Sequence, residues 1–525
     1  MPTMNDYLKY AETAFAAYAN NLVSGQGNAT KYENFAGMSP AQAQQFDATW
    51  KVLAQQDLSD GFSAVLFQQV DAQGNPIGEK VLALRGTEAS HWGIDYLTDV
   101  VNIALLGTSV GMPQYNSLES FYQALVTQGK LGAAESITVT GHSLGGFLSQ
   151  AFTAKHDSVV SAAYTYNSPG FSAATGVLSG IGTELLEFFS ITDASIPSSK
   201  IFNVRATDGT SLTSGLGQMI GYVQGGAIES SSDPVHNHSI TTLTDALALY
   251  AAYAKLDPTA SVTTITNLIK ASSNLNVNTL ETALDNVPEL IFGATTPGTL
   301  SEGRESYYTN LKQLTDWLNA RSSTATALKL DALTSYGGTA IAPNAQANTP
   351  DGLAYRYALA NLNPFAVTGD ASLYASHNAA GELNRHDPAT GTGNLSDLYL
   401  QDRAAMLSWK LKFNVGAEDS DDDRLGIFNR GDKPYSEEWD SFSISGDWDF
   451  IDKASGITLA IDGVDLTTTI NHQIVFGSAA SETLVGDSLI DRLYGGAGSD
   501  TLLGDSGSEL IYGGAANDLE WRLAA

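Results

Sequence analysis

The chain has 525 residues, with 57 acidic against 26 basic side chains, a formal net charge of −31 and no cysteine. That charge excludes a nucleic-acid partner, whose phosphates it would repel. The lack of cysteine excludes disulfides, thiolate metal sites and a cysteine nucleophile. With 43% hydrophobic residues and 9% aromatics the chain can bury more than one core, and its length predicts several domains.

Residues 1–25 lack both a basic stretch and a continuous apolar run, so no cleavable secretion signal is evident. No segment reaches the ~20 apolar residues of a bilayer span, so no integral membrane segment is expected. Residues 62–70 and 80–86 flank the turn-like Asp71–Glu79 segment and predict a hairpin. A helix is predicted at 117–129, a short buried strand at 135–141, further strands at 160–170 and 199–209, and an apolar helix at 241–258 stopped by Pro258. Alternation of this kind predicts an α/β class domain over 1–255, with a largely parallel sheet wrapped by helices.

Residues 256–476 read as a mixed helical and β accessory domain. Amphipathic helices are predicted at 263–275, 310–320 and 395–413, loops between them (336–352 among these), and strands within 440–450 and 456–470. The acidic run 417–426 reads as a solvated loop.

From Gly477 the chain repeats every nine residues: GSAASETLV, GDSLIDRLY, GGAGSDTLL, GDSGSELIY, GGAANDLEW. Position one is always glycine. Position six is Glu482, Asp491, Asp500, Glu509 and Asp518. Position eight is Leu484, Leu493, Leu502 and Ile511, breaking only at Glu520. A glycine turn followed by a short strand with an inward aliphatic predicts a parallel β-roll over 477–525. The position-six carboxylates and the turn carbonyls are hard oxygen ligands suited to structural Ca²⁺, so folding of this part is expected to depend on calcium.

The chemistry centres on Gly141-His142-Ser143-Leu144-Gly145-Gly146, a Gly-x-Ser-x-Gly pattern between a β run and a helical run. Such an elbow lifts the serine hydroxyl above the sheet edge and turns the following N–H, that of Leu144, toward the developing oxyanion. A serine hydroxyl needs a base. Of eight histidines, His236 and His238 lie just before the last helix of the region, after any acid-bearing strand. His238, at the helix start, is preferred, with His236 as the fallback. Asp157, Asp193, Asp208 and Asp233 lie between serine and histidine, and Asp208 directly follows a strand, so it is the expected acid. Thr87, after the strand ending at Arg85-Gly86, is the expected second oxyanion donor.

Together, Arg85-Gly86-Thr87, the Gly141–Gly146 elbow, a later aspartate, a late histidine and the nonapeptide repeats resemble the RTX-type secreted bacterial lipases and phospholipases A1, whose α/β-hydrolase domain is similar to the class 3 (fungal-type) lipases. The resemblance implies a secreted serine carboxylester hydrolase of triacylglycerol or glycerophospholipid, working at a lipid–water interface. It implies a mobile lid within 88–112, with Asp95 and Asp99, spaced i, i+4, helping to hold a lid calcium. The apolar insertions 171–198 and 211–229 would complete an acyl pocket. Export would use type I secretion machinery, which normally reads a region beyond the repeats, whereas only Arg522–Ala525 follows the last unit here. The competing expectation is a non-enzymatic calcium-binding surface protein or adhesin carrying a retired hydrolase domain.

Overall fold

The structure is a computed structural model. It describes residues 2–86, 107–170, 197–208, 219–229, 232–272, 279–293, 296–300, 304–321, 325–333, 338–387, 389–390, 392–415, 448–461, 472–505, 509–514 and 517–521. Its architecture is mixed α/β with a parallel-sheet core, and it divides into two units, Met1–Tyr253 with Thr296–Asp316, and Ala254–Thr295 with Trp317–Ala525. Among the described residues no helix is long and apolar enough to cross a membrane.

In the first unit seven strands lie side by side in chain order: β1 (Trp50–Asp57), β2 (Ser63–Val70), β3 (Pro76–Leu84), β4 (Ile137–His142), β5 (Val160–Tyr166), β6 (Ile201–Ala206) and β7 (Tyr222–Gly226). The first two pairings are antiparallel, and every pairing from β3 onward is parallel. The expected hairpin is β2–β3. Its turn is closed by Asp71, whose carboxylate accepts from the N–H groups of Gln73 and Asn75 at 2.9 and 2.8 Å, with Gly74 at φ 77°. β1 and β7 were not expected. Both are edge strands with polar stretches, Gln55-Gln56-Asp57 and Gln224-Gly225-Gly226, and neither alternates cleanly.

β4 is buried at all six positions, as a central parallel strand covered on both faces should be. The helices Gly107–Thr127 and Leu144–Lys155 bury Leu118, Phe121, Leu148 and Phe152 in one cluster with Leu66, Leu82 and Val139 of the sheet. The segment Thr296–Asp316 is held in this unit by buried Asp245. Its carboxylate accepts from Arg304 Nε at 3.1 Å and from the Tyr308 hydroxyl at 2.7 Å.

The second unit has helices Val262–Ser272, Thr279–Phe292, Gly338–Gln346, Pro350–Ala360 and Asp397–Val415, and a small antiparallel pair, β8 (Lys329–Ala332) with β9 (Phe365–Thr368). The loop expected over 336–352 is corrected here, because much of it is helical. Thr349 accepts from Gly352 N at 3.0 Å with Pro350 at the first helical position, a start signal that the Gly/Asn/Pro/Ala-rich composition concealed.

Strands β10 (Trp448–Asp452), β11 (Ile457–Ile461), β12 (His472–Phe476), β13 (Thr483–Val485), β14 (Arg492–Tyr494), β15 (Thr501–Leu503), β16 (Leu510–Tyr512) and β17 (Leu519–Trp521) complete it. Alternate repeats go to alternate sheets: β12, β14 and β16 pair in parallel within one, and β13, β15 and β17 within the other. Each pairing joins residues 18 apart, two nonapeptides. Leu484, Leu493, Leu502 and Ile511, the position-eight residues, are buried in one cluster with Val475. Asp402, fully buried in the helix Asp397–Val415, accepts from Arg492 at 2.6 Å and from the Tyr494 hydroxyl at 2.5 Å.

Candidate active site and calcium-binding repeats

The β4 strand ends at His142, and the helix Leu144–Lys155 begins at Leu144, so Ser143 alone makes the turn. It does so at φ 55°, ψ −125°, a conformation that costs an L-residue on the order of 1–3 kcal/mol. The elbow is tight enough that a Cβ on Gly145 would lie 2.2 Å from the Leu84 carbonyl oxygen, and one on Gly141 2.3 Å from the backbone of Gly145. Ser143 N donates to the Tyr166 carbonyl at 2.9 Å, which ties the elbow to the end of β5. The serine hydroxyl makes no cap bond to its helix. It lies instead 2.9 Å from His238 Nε2, with both residues buried.

His238 closes the five-residue helix Pro234–His238, which Asp233 starts by accepting from Val235 N at 2.9 Å. The neighbouring His236 donates through Nε2 to the Glu229 carbonyl at 2.9 Å, so of this pair it is His238 that meets the serine. Other described histidines have separate partners: His156 meets Glu119 at 2.8 Å, and His377, His386 and His472 bond to carbonyls. Burial, with His142 close by, holds the His238 imidazole well below its ordinary pKa, so the ring is neutral and Nε2 can accept a proton from the serine.

Asp208 lies two residues past β6, and its Oδ2 accepts from Ile228 N at 3.2 Å. Asp157 pairs with Lys200 at 2.7 Å. Leu144 opens the helix behind the serine. Thr87, Asp95, Asp99 and Asp193 lie outside the described residues, as do most of the expected lid and of the insertion 171–198. Gly86, next to Thr87, is described, and a Cβ there would lie 3.1 Å from Ser143 Cβ. The chain entering Thr87 thus passes directly beside the elbow.

Two residues at this site went unnoticed in the sequence. Asn167, just past β5 at φ 43°, donates from Nδ2 to the His238 carbonyl at 3.0 Å and accepts at Oδ1 from Ala206 N at 2.9 Å. Tyr18 places its hydroxyl 2.8 Å from His142 Nδ1. An asparagine leading a Ser-Pro-Gly turn was the available signal for the first. The second had none, because it reaches the site from 124 residues away.

His142, beside the serine in sequence, places its Nε2 2.7 Å from the carbonyl oxygen of His238. Burial lowers its pKa from 6.5 to about 4. A histidine whose folded pKa is depressed contributes stability that is complete above 6.5 and is lost as the pH falls through about 4. The shift of about 2.5 units is worth on the order of 3 kcal/mol. Between pH 7 and 4 the wild type should lose on the order of 3 kcal/mol more stability in denaturant melts than the His142→Gln variant does.

Residues 477–520 match the family model of the RTX calcium-binding nonapeptide repeat, in four copies. No curated protein sequence matches the chain. Among solved structures it is similar to the Lip2 lipase from Yarrowia lipolytica, at 16% identity over 43% of this chain and 77% of that one, with a TM-score of 0.25. It is also similar to an acylaminoacyl peptidase from Pyrococcus horikoshii, at 9% identity over 39% and 41%, with a TM-score of 0.24. Both likenesses are too loose to transfer anything from those proteins to this chain.

The C-terminal repeats are thus of a calcium-binding kind, and their side chains fit that ion. Three of the five position-six acids hand one oxygen to the rung before them: Asp491, Asp500 and Asp518 accept from Gln473, Glu482 and Asp500 N–H at 2.8, 2.8 and 3.0 Å. The other oxygen of Asp500, and Oε1 of Glu509, are buried without a hydrogen-bond partner. Burial raises Asp491 to about 7, with Asp487 and Glu509 adding to the rise, and raises Asp500 as well. A divalent cation would remove that penalty by supplying the missing positive charge. The glycine turns leave room for carbonyl ligands: a Cβ on Gly496 would sit 2.7 Å from Ser478 O, and one on Gly498 2.8 Å from Ala480 O. No group of three His, Asp or Glu side chains converges among the described residues, so backbone carbonyls would have to complete the coordination.

Proposed function

We propose that the chain is a secreted serine carboxylester hydrolase of lipid esters, with an α/β-hydrolase catalytic domain over 1–255, an accessory domain over 256–476 and a calcium-bound parallel β-roll over 477–525. The observation that carries the reading is the 2.9 Å approach of Ser143 Oγ to a neutral, buried His238 Nε2 at a strained strand-to-helix turn. Ser143 attacks the ester carbonyl while His238 Nε2 takes the hydroxyl proton. Leu144 N–H and Thr87 hold the oxyanion, and His238 then gives its proton to the departing alcohol. Water, deprotonated by the same nitrogen, releases the fatty acid from the acyl-enzyme. Asp208 orients the ring and stabilises its charged form. Asp95 and Asp99 belong to a lid over this site. Glu482, Asp491, Asp500, Glu509, Asp518 and the turn carbonyls would hold calcium, whose charge would offset the carboxylates of the roll. Repeats of this kind support export by type I machinery.

The test is a side-by-side assay of emulsified tributyrin, phosphatidylcholine vesicles and an acylated amino-acid amide, with released fatty acid titrated and its position of origin identified. Release from either lipid at more than ten times the rate on the amide is the expected result. Cleavage of the amide alone would overturn the lipid reading. A poverty of basic residues (26 in the whole chain) favours the uncharged triacylglycerol over an anionic headgroup.

A further inference from the structure

The peptide carbonyl of His238 is bonded as deliberately as its ring. A carbonyl oxygen has two lone pairs, and here both are taken by side chains from other elements, His142 Nε2 at 2.7 Å and Asn167 Nδ2 at 3.0 Å. A carbonyl only accepts, so His142 Nε2 must carry a proton. The ring is neutral, so Nδ1 is bare and accepts from the Tyr18 hydroxyl at 2.8 Å. One tautomer is therefore fixed along a line running from Tyr18 through His142 to the backbone of His238.

Asn167 extends the bracket to the other side of the site. Its Oδ1 accepts from Ala206 N, two residues before Asp208, and its own N–H donates to Val204 O at 2.9 Å. The preceding residue, Tyr166, accepts from Ser143 N. A single strand end thus fixes the backbone of the serine, of the strand leading to the aspartate and of the histidine. The φ of 43° at Asn167 is one that asparagine tolerates better than most residues. The bracket also explains Gly86: a Cβ there would lie 2.6 Å from the His142 carbonyl oxygen and 2.7 Å from the Tyr18 hydroxyl.

We propose that Tyr18, His142 and Asn167 are positioning residues that hold His238 by its main-chain carbonyl, so that its ring keeps its reach to Ser143. This rests on the catalytic reading of Ser143 and His238 given above. None of the three is asked to touch substrate. Their effect is on geometry, where a displacement of about 1 Å costs on the order of 10²-fold in rate.

The experiment measures kcat and KM on p-nitrophenyl butyrate, with thermal melts, for His142→Leu, His142→Gln, Tyr18→Phe, Asn167→Asp, Ser143→Ala and the double variant Tyr18→Phe/His142→Leu. His142→Leu should lower kcat by roughly 10²-fold with KM nearly unchanged. His142→Gln, which keeps an N–H at that reach, should recover most of it. Tyr18→Phe should cost about fivefold alone and nothing further in the His142→Leu background, because the two act in one line. Asn167→Asp keeps the acceptor for Ala206 and loses the donor to His238, so it should lower kcat as well. Should His142→Leu fail to fold, the Gln, Phe and Asp variants carry the same comparison. The proposal is overturned if kcat stays within about threefold of wild type in folded His142→Leu, or if losses follow melting temperature and the glutamine gives no rescue. Full activity of Ser143→Ala would instead remove the catalytic reading on which the proposal stands.

Discussion

Replacing Ser143 by alanine should lower kcat/KM for p-nitrophenyl butyrate by about 10⁴-fold or more, to the level of a binding site without a nucleophile. The fold should survive. Alanine keeps the Cβ and therefore the same strained φ of 55°, and the hydroxyl that is lost caps no helix. Glycine at 143 sharpens the comparison. It should be equally inactive yet more stable than the alanine variant, by on the order of 1 kcal/mol, because φ above zero costs it nothing. Circular dichroism and melts beside the assay check all three outcomes. Undiminished turnover by a folded Ser143→Ala would move the chemistry elsewhere.

Removing calcium should have the largest effect on stability. Five position-six acids, Glu482, Asp491, Asp500, Glu509 and Asp518, recur every nine residues through the strands, and Asp491, Asp500 and Glu509 are buried. No lysine lies among 477–521, and Arg492 is already engaged by Asp402. Without the ion, the buried carboxylate oxygens that no N–H group reaches, Asp500 Oδ2 and Glu509 Oε1 among them, are left uncompensated. EGTA should therefore abolish the β signal of this segment and open it to protease, and excess calcium should restore both. At a free concentration a thousand times Kd, each site is worth about 4 kcal/mol. Magnesium, smaller and demanding octahedral geometry, should not substitute. Unchanged dichroism and melting in EGTA would contradict the calcium-bound roll.

What the sequence disclosed follows from the range of the interactions involved. The elbow's pattern is short even though only Gly141 is fixed by a near neighbour, Gly145, while Gly145 is fixed by Leu84 of the adjacent strand, and so Ser143 could be singled out from five residues. The repeats were legible because the period of nine forces acid and aliphatic into phase, and the strands pair at twice that interval. His238 could be narrowed to two neighbours by chain order, but only the fold shows His236 turned to Glu229. Tyr18 and Asn167 act over 124 and 71 residues of separation on groups that carry no pattern of their own. Edge strands β1 and β7 escaped notice because edges tolerate polar residues on both faces. The helices Gly338–Gln346 and Pro350–Ala360 escaped because tertiary packing outweighs the glycine, asparagine and proline in them.

The rung that precedes the first glycine repeat carries a kinetic consequence. Counting back from Gly477, Gln473 stands at position six and Val475 at position eight, so β12 keeps the buried aliphatic but has lost the acid. It pairs in parallel with β10 on one side and β14 on the other, and Phe476, Tyr494 and Tyr512 stack ring on ring up the same edge. β10 is itself anchored by the buried Arg403–Asp452 pair at 3.0 Å, and the Arg403 guanidinium lies over the Phe476 ring. Neither strand carries one of the position-six acids that calcium would neutralise. When calcium is supplied, the repeats therefore meet a finished edge on which to zip. Ordering becomes propagation from a fixed seed instead of a search for a nucleus, and it should run one way, without a lag, from β12 toward the C-terminus.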